Sequence, residues 1–257
     1  MNRRLLMLLG VASFAGLAAC QDNTAATANA DLDDSTITAD VAQSSGDAIA
    51  SSVSDMVVSE NSAALPTSGP SPVEQNSDSV IYNRTRTCYD STGTAMPGCT
   101  PVANIRTVAI HVQLDGTRTG PNFFGAVHRL RDDTVSRNYT GATEVSRTHN
   151  AVGTAKDTSN FDNGTRNRLF AENAQDSVEA ITWTFPRINN PFPVSGTFVR
   201  NVAVHAEFHG PNRDETRDVT RRVEVDFPAD GQGNVVLKIN AKTCNLNLVT
   251  RAVTNCQ

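Results

Sequence analysis

The chain has 257 residues, 39% hydrophobic and 19% charged, with a formal net charge of −5. That length holds one or two domains and can bury a sizeable core, while the mildly acidic balance argues against a nucleic-acid partner. Phosphate-binding loops of the G-x-x-x-x-G-K-[ST] and G-x-G-x-x-G types are absent, and no G-x-S-x-G elbow marks a nucleophilic serine.

Met1-Asn2-Arg3-Arg4 is a positive start, Leu5 to Leu17 is an apolar run, and Leu17-Ala18-Ala19-Cys20 ends it. A charged n-region, an apolar h-region and a small-residue cleavage site make a secretory signal. The run is too short for a membrane span, which needs roughly 20 apolar residues. Leu-Ala-Ala-Cys resembles the lipobox of bacterial lipoproteins. The resemblance covers residues 1–20 only. It implies removal of the signal peptide 1–19, acylation of Cys20 and attachment to a membrane through the lipid. Gln21 stands where an inner-membrane lipoprotein would carry aspartate, which implies the outer membrane, on its periplasmic or its surface side.

Residues 20–78 form an acidic Ser/Ala/Asp-rich tether in this reading. Ten carboxylates lie between Asp22 and Asp78, with no lysine or arginine among them. The remainder carries 20 basic residues against 17 acidic ones, so tether and domain are expected to attract weakly over the surface. Within the tether, Val41, Ile49, Val53, Met56 and Val57 fall near one face of a possible weak helix over 38–58. That face is interrupted by Ser44-Ser45-Gly46 and Ser51-Ser52. Ser59 to Ser79 is Ser/Pro/Gly/Asn-rich and reads as a linker.

From residue 79 to 257 the apolar period becomes two. Val108, Ile110, Val112 and Leu114 share a side, and Asp115-Gly116 offers a turn. Phe123 to Arg131, Val135 to Val152, Arg166 to Ala171 and Val178 to Phe185 follow as further strands. Val202, Val204, Ala206 and Phe208 line one face of Thr197–His209. Arg200 shares that parity, which predicts a bulge or strand end near it. Val223, Val225 and Phe227 alternate, and Asp230-Gly231-Gln232-Gly233-Asn234 turns the chain into Val235, Leu237 and Ile239. That pentapeptide resembles a calcium loop only faintly, because the later bidentate glutamate is missing. Cys244, Leu246 and Leu248 close the pattern. The expected class is all-β: an antiparallel sandwich, or a strongly curved and partly closed barrel, of about nine to ten strands. Short turns and one apolar face per strand favour the sandwich.

Four cysteines besides Cys20 form an even set in an exported chain. Each neighbouring pair brackets a turn-rich stretch, which predicts Cys88–Cys99 and Cys244–Cys256, each worth about 3 kcal/mol. Zinc is the rival, weakened by the absence of any C-x-x-C pair. His205, Glu207 and His209 alternate with Val204, Ala206 and Phe208 and so project from one face as weak metal candidates. Successive residues on one face of a strand stand about 6.6 Å apart, which favours a plain polar surface. Arg129, Arg131, Arg166, Arg168, Arg217, Arg221 and Arg222 are expected to point outward in cross-strand pairs. The chain thus predicts a non-enzymatic binding or structural module without cofactor, with a cell-envelope glycan, lipid or protein as partner. A carrier with an apolar cavity and a hydrolase with an unrecognised site are the alternatives.

Overall fold

The computed structural model describes residues 32–61, 79–120, 123–162, 167–188, 191–211 and 213–257. Among these residues one α-helix, α1 (Asp34–Asn61), precedes eleven strands. These are β1 (Ser79–Tyr89), β2 (Ala95–Met96), β3 (Thr107–Gly120), β4 (Phe123–Thr140), β5 (Thr143–Asp162) and β6 (Asn167–Thr184). They continue with β7 (Ser195–Gly210), β8 (Arg213–Phe227), β9 (Asn234–Ile239), β10 (Lys242–Asn247) and β11 (Val253–Thr254). All eleven belong to one antiparallel sheet, ordered β11-β10-β9-β8-β7-β6-β5-β4-β3-β1-β2, which does not close. The all-β class holds; of the two expected forms the favoured two-sheet sandwich gives way to the curved single sheet.

Long strands replace several shorter ones. Asp115-Gly116 makes no turn, because β3 runs through it with Asp115 opposite both Ile81 and His128. β6 joins the two expected segments 166–171 and 178–185 into one strand. Its ladder slips beside Ala180, which takes a positive φ of 51°. β1 has no sequence signal, since Asn, Arg and Thr occupy both of its faces.

The sheet wraps around α1. Asp47 shows this geometrically: one carboxylate lies 2.8 Å from Arg251, after β10, and 3.7 Å from Arg129 on β4. Across a flat sheet, β10 and β4 would stand about 30 Å apart, too far for two arginine side chains to meet. The helix therefore belongs to the core and not to the tether, which corrects the tether assignment for 34–61.

Why the helix is stable only here follows from its sequence. Ser, Thr, Val and Gly are mediocre helix formers, so tertiary packing must hold it. Asp33 caps it by accepting the Thr36 N–H at 2.6 Å, which lowers its own pKa to about 2. Buried side chains surround the axis: Ile37, Val41, Ser45, Ile49 and Met56 are fully covered, as are Ala42, Ala48 and Ala50. The small residues that interrupt an amphipathic face are thus contact points, where strands approach the helix closely. A Cβ on Gly46 would stand 2.5 Å from Val253 Cγ2 and 3.2 Å from Leu246 Cδ1. The helix and Trp183, Phe198, Val225, Leu237 and Leu246 form one apolar cluster. Tyr82, Ile110, Val112, Leu114, Val127 and Val135 form a second on β1, β3 and β4.

Both margins of the sheet are stapled. Cys88–Cys99 ties β1 to the turn beyond β2, and Cys244–Cys256 ties β10 to the chain end beyond β11. Both local pairings are as the spacing predicts. Cys20 and Arg166 lie outside the described residues.

Gly46→Val should lower stability by about 1–3 kcal/mol, since overfilling a packed site forces strain. Urea unfolding measures this. An unchanged midpoint would mean that β11 is not seated on α1.

Candidate functional site

Strand alternation gives the sheet two chemically different faces. The inner face carries an ionic network under α1. Register sets Asp157 on β5 opposite Glu172 on β6, and Asp176 opposite Arg200 on β7. Arg200 is fully buried and lies 2.9 Å from Asp176, 3.6 Å from Asp157 and 3.7 Å from Glu172. Arg129 reaches Asp157 at 3.2 Å. The helix supplies the lid: Ser44 donates to Glu172 at 2.6 Å, Arg168 donates to Asp40 at 3.1 Å, and Arg131 donates to the Ser52 carbonyl at 3.2 Å. At the helix start, Asp34 pairs with Arg221 and with Lys242.

Arg129, Arg131, Arg168 and Arg221 therefore point inward, against the outward placement expected of them. Arg200 likewise needs no bulge: it sits in unbroken register, its charge met by acids on β6 and β5. Arg217 and Arg222 are exposed as expected, but they pair along their own strand with Glu215 and Glu224 and not across strands.

Burial pushes Glu172 up to about 7 and Asp40 up to about 6, and it raises Asp176 as well; the nearby arginines oppose the rise in each case. Clustered carboxylates with raised pKa can mark a catalytic site. Here they lie between the helix and the sheet, and of the three only Asp176 borders the space between α1 and β3–β7, which is about 40 Å³. That is room for a few water molecules. The network clamps the helix and can hold protons.

Two outcomes follow. Arg200→Met leaves three buried carboxylates sharing Arg129 and should cost about 3–5 kcal/mol, read by thermal or urea unfolding; a loss below 1 kcal/mol would contradict the network. For pH, Glu172 and Asp40 keep protons in the folded chain that the unfolded chain releases near pH 4, so stability falls as pH rises from about 4 through 7. Asp33 and Glu144, both lowered to about 2, act the other way: their contribution is present above about pH 4 and is lost as pH falls towards 2. Stability should peak near pH 4–5 and decline towards pH 8, and Glu172→Gln should flatten the decline. A steady rise to pH 8 would refute this assignment.

The outer face is zipped by exposed ion pairs over much of its area. His205, Glu207 and His209 do share a face there. His205 places Nδ1 2.7 Å from Asp218 and Nε2 2.9 Å from Glu207; His209 places Nδ1 3.2 Å from Asp214 and Nε2 3.5 Å from Glu207. Glu207 foremost raises the His205 pKa, and Asp214 foremost that of His209. With both nitrogens of His205 engaged by carboxylates, the row is a hydrogen-bonded surface ladder. No three His, Cys, Asp or Glu side chains among the described residues are placed to hold a metal ion.

Beside this ladder lies a groove of about 630 Å³ across β5–β8, continuous through Asn173, Ala203 and Thr220 with a second of about 360 Å³ that reaches His205 and Asp218. Register builds its floor from two rows. Lys156, Asn173, Ala203 and Thr220 stand side by side on successive strands, as do Thr154, Gln175, Asn201 and Arg222. Ala203 makes the floor low. Thr154, Lys156, Asn173, Gln175, Asn201 and Thr220 are exposed, and none has a side-chain partner among the described residues. The contrast with the paired charges around them makes this the candidate site. No single strand announces it: outward Asn, Gln and Thr become a site only when register aligns four strands. Searches among protein families, curated proteins and solved structures find no match to this chain.

Proposed function

We propose that the protein is an exported, lipid-anchored, non-enzymatic binding module of the bacterial outer membrane, and that its partner meets the groove on β5–β8. The observation that carries this reading is the array of amide, hydroxyl and ammonium groups without side-chain partners among the described residues, on a surface otherwise zipped by ion pairs. Rigid strands hold these groups in place, so little ordering entropy opposes a ligand. Anchoring rests on Leu17-Ala18-Ala19-Cys20, and the two paired disulfides accord with an oxidising compartment. The interior that a carrier of apolar ligands would use is filled by α1.

Two experiments test the reading. Cys20→Ser should abolish partitioning into detergent; equal partitioning of variant and parent would sink the anchor. A photo-reactive side chain at Ala203 should cross-link an envelope component in cells, whereas one at the exposed Val236 of β9 should not. Capture of the same species from both positions, or of none from Ala203, would remove the groove as a binding surface.

A further inference from the structure

The groove's chemistry restricts what fits it. Asn173, Gln175 and Asn201 each present a carboxamide that donates and accepts, and Thr154 and Thr220 add hydroxyls that do the same. A ligand offering acceptors alone would leave the amide oxygens without donors. A polyhydroxylated ligand satisfies both halves of every amide. Among the described residues no aromatic ring lines the larger groove, so recognition there runs through hydrogen bonds at the edges of the ligand.

Its shape selects an extended ligand. Four adjacent strands span three ladder steps, about 14 Å, which is roughly the length of a trisaccharide. The second groove carries the trough further along β7 and β8.

Its charge selects an anion of low valence. Among the described residues no carboxylate lines the larger groove, while Asp218 lines the second. The chain has three lysines; Lys238 pairs with Glu224 and Asp226, and Lys242 with Asp34, while Lys156 has no ion pair among the described residues. Arg222 gives one N–H of its guanidinium to Glu224. A phosphate is typically met by a planar arginine fork or by several cations. A single unpaired ammonium suits one carboxylate.

We propose that the groove binds an extended uronic-acid polysaccharide, with its hydroxyls on Asn173, Gln175 and Asn201 and one carboxylate at Lys156. This rests on the reading of the groove as the binding surface. With few contacts and no stacking, a short oligomer should bind with a Kd of about 10 μM to 1 mM.

Calorimetric titration of the full chain in detergent provides the test. The probes are a linear tetragalacturonate, the same tetrasaccharide with its carboxyls reduced to alcohols, and inorganic phosphate. The uronate should bind saturably and the reduced form about five- to tenfold more weakly. Asn173→Ala with Asn201→Ala should weaken both by at least tenfold, and Lys156→Gln should erase the difference between them. All three positions are exposed, so unchanged urea midpoints show that the variants fold. Absence of saturable binding by either glycan, full affinity in the double variant, or tighter binding of phosphate than of the uronate would overturn the proposal. A polypeptide captured from Ala203 together with failed glycan binding leaves the groove standing and removes the uronate. Failure at Ala203 as well removes both.

Discussion

The pairing of helix carboxylates with inward arginines is the constraint on which the rest of the structure depends. An eleven-strand sheet has no intrinsic reason to roll around a helix of mediocre propensity. Asp34, Asp40 and Asp47 meet Arg221, Arg168, Arg129 and Arg251, which are drawn from β8, β6, β4 and the turn after β10. The split between ten acids in 21–78 and an excess of bases beyond is thus used inside the protein. Buried ion pairs contribute little net stability against their desolvation. The apolar cluster around Trp183, Phe198 and Ile49 supplies the driving force, and the charges fix how far along the sheet the helix sits.

The same network reaches the outer face through the pleat. Asn173 follows Glu172, Gln175 precedes Asp176, Asn201 follows Arg200, and Lys156 precedes Asp157. Every one of these groove residues is the chain neighbour of a clamped inner residue, so the clamp holds the backbone that presents it. A rigid second layer is what a weak, hydrogen-bonding surface needs to keep its groups in place.

Much of the fold was legible in local pattern. Alternation in Thr197–His209 and from Val223 to Ile239 marked β7, β8 and β9, and the bracketed turns marked both disulfides. What was not legible depends on pairing at a distance. Arg200 has core parity, but its acids lie on other strands, so a bulge was the nearest local explanation. Ser45, Gly46 and Ser51 weaken an amphipathic stripe, and only an enclosing sheet turns small residues into contacts. Arg168 shares the parity of the inward Phe170, a local signal of its buried side. The groove had no sequence signal, because Lys156, Asn173 and Asn201 become neighbours only through register.

Native-state hydrogen exchange tests the central claim most directly. If α1 is the axis around which the sheet rolls, its amides open only with the sheet, and their exchange free energies match those of β6 and β7. Exchange of α1 within minutes at neutral pH, while β6 and β7 stay protected, would show a helix resting on a sheet that folds without it.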